Sequence, residues 1–173
     1  MSNPFAHKSD QYAKFRPVYP PEIFQFINAH VEHKNTAWDC GTGNGQLAVR
    51  LADTFKNVYA TDVSDEQLAN ATVHERIVYS KQPAEQTNFP DSYLDLITVA
   101  QAVHWFDFDK FYTEVNRTLK PNGIIAVIGY GLLNISSEVD GVIRKLYEIT
   151  GPFWDWQRKY LDEQYRTIPF PFD

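Results

Sequence analysis

Trp38-Asp39-Cys40-Gly41-Thr42-Gly43-Asn44-Gly45 runs from a short apolar strand into a glycine hook. A second apolar run ends in Tyr59-Ala60-Thr61-Asp62. Together these segments describe a nucleoside pocket at the tips of two adjacent parallel strands. The first glycine lets the chain turn sharply, and the next two remove side chains where a ligand must lie against the backbone. A carboxylate at the end of the second strand is placed to grip a ribose diol.

The glycine spacing narrows the choice of nucleoside. Dinucleotide-binding turns read Gly-x-Gly-x-x-Gly and hold a pyrophosphate at a helix N-terminus. This chain has Gln46 where that pattern needs its last glycine, and Asp39 stands where a carboxylate repels phosphate. An acid there suits a ligand carrying a cation. No Gly-Lys-Ser/Thr follows, which excludes a phosphate-loop NTPase. The plain alternative is a tight strand-to-helix turn with no ligand.

Asp39 to Gly45 resembles motif I of the class I S-adenosylmethionine-dependent methyltransferases. Three further segments agree in order: Ala60-Thr61-Asp62-Val63-Ser64, Ala84-Glu85 with the run Phe89 to Ile97, and Leu119-Lys120-Pro121-Asn122-Gly123. The resemblance covers roughly residues 36–130. It implies S-adenosylmethionine as cofactor and S-adenosylhomocysteine as product. By that resemblance Asp39, Gly41, Thr42, Gly43 and Gly45 contact the methionine end. Asp62 accepts from both ribose hydroxyls, Val63 lies on the adenine, and Ala84 and Glu85 sit at its edge. Gln101-Ala102-Val103-His104-Trp105-Phe106 falls where the family places its active-site loop. Gln101 is grouped with the cofactor-binding residues, His104 is the candidate general base, and Trp105 is the candidate cover of the methyl centre. A packing role for the His-Trp pair is the alternative. The stretch Gln11 to Pro20 resembles the opening of trans-aconitate methyltransferase-like enzymes, where a Tyr and an Arg cover the cofactor. Those roles pass to Tyr12 and Arg16, with a proline-stiffened helix entry as the other reading.

To position these residues the chain needs a parallel sheet, and strand and helix signals alternate as such a sheet requires. Strands are expected near 36–40, 57–62, 75–80, 94–100 and 123–130, and helices near 20–31, 44–55, 65–71 and 108–119. Ser64 with Gln67 forms a capping-box pattern, and Asp107 reads as the N-cap of the helix that follows. Phe108, Phe111, Tyr112, Val115 and Leu119 share one helical face and read as core. Right-handed crossovers give the α/β Rossmann-like, doubly wound order 3-2-1-4-5 with helices on both faces and ligands at the carboxyl ends. The expectation is one domain, 1–173, in which 134–173 forms a helical cover. Its helices come from the spacing of Val139, Val142, Ile143, Leu146 and Tyr147, then from 153–165 after the break at Gly151-Pro152. No sixth or seventh strand is visible, so the family's last hairpin is expected to be missing. The open edge of the fifth strand then needs covering by 137–166 or by a partner chain, a homodimer included.

Composition bounds the rest. A net charge of −6, with basic runs no longer than the pair Arg158-Lys159, argues against a nucleic-acid surface. Cys40 is the sole cysteine, which forbids an intrachain disulfide and suits a reducing compartment. Within the hook it reads as a small packed residue. No apolar run approaches the length of a membrane span, and Met1 to Gln11 lacks a signal-peptide core, so a cytoplasmic location is expected. The histidines form no metal-ligand spacing and no metal is expected. The function these features imply is methyl transfer to a small molecule, a carboxylate oxygen among the candidate acceptors. The competing classes are a cofactor-binding regulatory or assembly domain without turnover, and a nicotinamide oxidoreductase, which the glycine spacing disfavours.

Overall fold

The computed structural model describes residues 19–132 and 134–172. The chain divides into two compact units, one ending at Ile128 and one beginning at Gly129. In the first unit, Pro21 occupies the first turn of α1 (Pro21–His30), where a missing N–H costs nothing. Phe24 and Ile27 form its buried side. β1 (Thr36–Cys40) is buried along its whole length, as a central parallel strand covered on both faces must be. α2 (Gln46–Ala52), β2 (Asn57–Asp62), α3 (Asp65–Ala69), β3 (Ile77–Lys81) and β4 (Leu94–Ala100) follow. Beyond a 3-10 turn at Val103–Trp105 come α4 (Phe108–Thr118) and β5 (Leu119–Ile128).

All four strand pairings are parallel, and the order is β3-β2-β1-β4-β5, as the alternation predicts. Alternation along β1 sends neighbouring side chains to opposite faces. Ala37 joins Leu47, Ala48, Leu51, Phe55 and Val58 under α2. Trp38 points the other way, its ring 5.3 Å from Phe89 and 6.4 Å from Phe111 of α4. Its indole N–H donates to Thr61 Oγ1 at 2.8 Å, so no polar atom is stranded by its complete burial. The sheet is thus packed on both sides, and its strand order reverses between β1 and β4, the place where ligands bind in such folds.

Three local expectations change. The third strand runs 77–81 rather than 75–80. The fifth begins at Leu119 rather than 123, because Leu119 pairs with Leu94 before the chain bulges and Ile124 pairs with Leu96. Pro121 has no N–H for the ladder and Asn122 sits at φ 64, so the expected turn survives as an irregularity inside the strand. The capping box at α3 is half made. Ser64 Oγ accepts from the Gln67 N–H at 3.3 Å, but the Ser64 N–H donates to Asp62 Oδ1 instead of to Gln67.

In the second unit, α5 (Ser137–Thr150) is capped by Ser136, whose hydroxyl accepts from the Val139 N–H. The expected second helix over 153–165 is not continuous. It breaks into 3-10 turns at Gly151–Phe153 and Trp156–Arg158 and a single turn, α6 (Lys159–Asp162). Trp154 and Asp155 are extended, which places the Trp154 ring 4.0 Å from the Arg158 guanidinium. Arg158 also lies over Tyr147 and donates to its hydroxyl. These cation–aromatic contacts favour the turns over a regular helix.

Candidate active site

The hook is built by backbone geometry first. Gly41 and Gly45 have φ of 68° and 85°, a region that side-chain-bearing residues rarely adopt. Space forbids side chains there as well. A Cβ on Gly41 would lie 2.7 Å from Ala102 Cβ, and one on Gly45 would lie 2.2 Å from the Tyr79 hydroxyl. The hook is therefore pressed between the loop after β4 and the third strand. The Thr42 N–H donates to Thr61 O at 2.9 Å, tying the hook to β2.

Two carboxylates hold this shape. Asp39 is buried, accepting from Thr42 Oγ1 at 2.6 Å and from Thr98 Oγ1 at 3.0 Å. Asp62 Oδ2 accepts from the Gly43 N–H at 2.8 Å, and Oδ1 from the Ser64 N–H at 2.9 Å. Each carboxylate oxygen offers two lone pairs, so the bonds that orient Asp62 leave it capacity for further donors. Val63, next in the chain, exposes 62% of its surface, an apolar face beside the acid. Ala84 is buried, and Glu85 Oε1 accepts from the Asp107 N–H at 3.0 Å, at the start of α4. Tyr12 and Arg16 lie outside the described residues.

Burial, then the charges of Asp39, Glu85 and Asp62, push the Cys40 thiol well above its ordinary value. Cys40 is therefore a neutral packing group, as expected of it. Burial and the Asp39 charge also push the Tyr79 hydroxyl up to about 12, so it stays protonated and donates to Thr72 O at 2.9 Å. The negative charge of the carboxylates beside the hook favours a cationic ligand and disfavours a phosphate.

Gln101 takes φ 57, and its N–H donates to Ile128 O at 2.8 Å, which turns the chain sharply at the end of β4. The following 3-10 turn carries His104 and Trp105, ring centroids 4.8 Å apart. His104 is buried, at 4% exposure, whereas Trp105 is 40% exposed. Asp107 caps α4 as expected, accepting from the Lys110 N–H at 3.3 Å. Of the five residues expected on one core face, Phe111, Tyr112 and Val115 are buried on α4, Phe108 is half-buried at its start, and Leu119 is half-buried and opens β5 instead.

Thr98 was not singled out by sequence reasoning. Its signal was there, a hydroxyl in the middle of the apolar run of β4, where a buried polar group needs a partner. Among the described residues no group of three or more His, Cys, Asp or Glu is arranged to hold a metal. No helix among them is long and apolar enough to cross a membrane.

This sheet order and this acidic hook define a doubly wound domain for a cationic nucleoside cofactor. A family model described as a methyltransferase domain matches residues 38–127. A protein of Dictyostelium discoideum that bears a methyltransferase name is 38% identical over 98% of this chain and 66% of its own length. A solved structure from Anaeromyxobacter dehalogenans, titled a type II methyltransferase, superposes with a TM-score of 0.83 at 38% identity, covering 92% of this chain and 68% of that one. A structure from Methanococcus maripaludis, titled an S-adenosyl-L-methionine-dependent methyltransferase, gives 0.69 at 26% identity, covering 92% and 77%. The chain spans about two thirds of the length of the first two. It belongs to the class I S-adenosylmethionine-dependent methyltransferases, and its cofactor is S-adenosylmethionine.

Proposed function

We propose that this chain transfers a methyl group from S-adenosylmethionine to a small-molecule acceptor, as in the trans-aconitate methyltransferase-like enzymes, and that a carboxylate oxygen is the atom methylated. The observation that carries the reading is the glycine hook held by two carboxylates, Asp39 buried beneath it and Asp62 accepting from the Gly43 N–H at the tip of β2. The cofactor supplies an electrophilic methyl on a sulfonium. The chain's own residues bind and align. Asp39, with the hook backbone from Gly41 to Gly45 and Thr42 between, takes the methionine end. Asp62 takes the ribose diol, Val63 the adenine face, and Ala84 and Glu85 its edge. Gln101 stands at the mouth of the active-site loop, and Tyr12 and Arg16 cover the cofactor. The exposed Trp105 ring lines the acceptor side.

Such a displacement needs alignment more than a base when the nucleophile is already anionic. That is why the burial of His104 favours a carboxylate acceptor over one that must lose a proton. The same burial favours a second reading, a cofactor-binding regulatory or assembly domain without turnover. Titration calorimetry with S-adenosylhomocysteine, with NAD as control, tests the cofactor. Binding of the first and not the second is expected, and the reverse would favour the competing reading, a nicotinamide oxidoreductase. An acceptor screen with small carboxylic acids then separates turnover from binding alone. In that assay His104→Asn tests the base. A loss of about 10²–10⁴ in kcat marks general-base catalysis, and less than tenfold marks the packing role. A partner chain for the β5 edge, a homodimer included, belongs to the same proposal. Light scattering on the purified chain that shows a monomer only would remove the homodimer from it.

A further inference from the structure

Residues 82–93 join β3 to β4 with no helix or strand of their own. A loop of this length inside a packed domain is uncommon unless it is functional, and this one carries Ala84 and Glu85. It is nonetheless tied down throughout. The Gln82 N–H donates to Asp62 O at 3.2 Å, directly behind the ribose acid. Glu85 takes the Asp107 N–H at one end of α4. At the other end, Glu114 Oε1 accepts from the Thr87 N–H at 2.8 Å and from Thr87 Oγ1 at 2.5 Å. Arg117 closes on both oxygens of Glu114, Nε to Oε2 at 2.9 Å and Nη2 to Oε1 at 2.6 Å. It also reaches the loop itself, Nη1 donating to Phe89 O and to Asp91 Oδ1, each at 2.7 Å.

We infer that the Glu114–Arg117 pair sets the adenine specificity of the site, acting as a positioning clamp that fixes where Glu85 stands relative to Asp62. The inference rests on the cofactor reading above and deepens it. The chemistry requires such a device. A single acceptor on a loop discriminates one base from another only if it cannot move to suit the wrong one. A bidentate guanidinium–carboxylate pair is the most direction-specific contact available for holding it. Glu114 is buried on α4 and Arg117 is partly so, which keeps the pair from dissolving into water. Burial alone would raise the Glu114 carboxyl, but the bonds from Arg117 and Thr87 outweigh it and hold the group below its ordinary range. The clamp is therefore charged at neutral pH. Since α4 also follows the 3-10 turn of His104 and Trp105 by two residues, one helix frames both the adenine edge and the acceptor loop.

The test compares S-adenosylhomocysteine with S-inosylhomocysteine, in which the exocyclic amine that Glu85 would accept from is replaced by a carbonyl oxygen. Affinities for both are measured by calorimetry in the wild-type chain, in Arg117→Lys and in the milder Thr87→Val, with thermal midpoints recorded in parallel. The wild type is expected to prefer the adenine ligand. Arg117→Lys is expected to reduce that preference by about tenfold, the scale of a lost charge-assisted contact, while Thr87→Val, which removes one hydroxyl bond to Glu114, reduces it by about fivefold. A merely structural pair lowers the thermal midpoint and leaves the ratio of the two affinities within about twofold of the wild type, and that result in either folded variant overturns the clamp. A wild-type chain that binds neither ligand overturns the cofactor reading itself and the clamp with it.

Discussion

Asp95 and Asp62 sit at opposite ends of one sheet and teach different lessons. Asp95, near the start of β4, already accepts four hydrogen bonds. Its Oδ2 accepts from the Asn35 and Thr36 amides and from Thr36 Oγ1, and its Oδ1 accepts from Lys120 Nζ at 2.7 Å. Asp62, at the end of β2, accepts only two backbone amides among the bonds described above. The first carboxylate closes the amino end of the sheet by joining three strands. The second is oriented and then left with acceptor capacity beside an exposed valine. Residue type does not separate a structural acid from a binding acid; the number of donors already spent on it does.

The largest effect that would break this comparison is on stability. Asp95→Ala leaves Lys120 and the Thr36 groups without their acceptor, at a cost of about 2–3 kcal/mol, discounted because Lys120 is about a third exposed. Denaturant unfolding should show that loss, while the affinity of the folded fraction for S-adenosylhomocysteine stays at the wild-type value. Asp62→Ala should do the opposite, weakening cofactor binding by about 1–3 kcal/mol through lost charge-assisted bonds. Unchanged calorimetry would remove its assigned role.

Acid sharpens the contrast further. Burial pushes the Asp95 carboxyl up, but the bonds from Lys120 and Thr36 outweigh this and hold it below its ordinary range, as Arg117 and Thr87 do for Glu114. A depressed folded pKa contributes stability above the unfolded value, about 4 for such groups. That stability is lost as the pH falls through about 4 and below. The thermal midpoint should drop over that range, and Asp95→Asn should flatten the slope. The smallest effect concerns Cys40. Its buried, electrostatically suppressed thiol should resist an aromatic disulfide reagent in the native protein and react on unfolding. Rapid native labelling would show that the hook opens.

Much of this was legible beforehand. Buried parallel strands read as apolar runs, so strand order followed from the alternation and the handedness of crossovers. Ser64 and Asp107 announced their helices because capping is a local interaction. The bulge in β5 was not legible, since whether Pro121 ends a strand or interrupts one depends on the partner that Leu119 finds in Leu94. Nor was the fate of 153–165, where helical spacing gave way to the stacking of Arg158 on Trp154 and Tyr147. Glu114 carried a legible clue to its partner. It lies on the same helical face as Phe111, Val115 and Thr118, all buried, and a charge on a buried face needs a buried partner.

By itself the sequence determined the sheet, the glycine hook and the identity of the acids around it, because backbone freedom, periodicity and capping act over a few residues. Only the tertiary structure decided which acids are spent. It joined Thr98 to Asp39, drew Glu85 to the first turn of α4, gave Asp95 its lysine, and buried His104 while leaving Trp105 in water. These outcomes turn on hydrogen bonds between residues far apart in the chain, and their partners are chosen by how the layers pack.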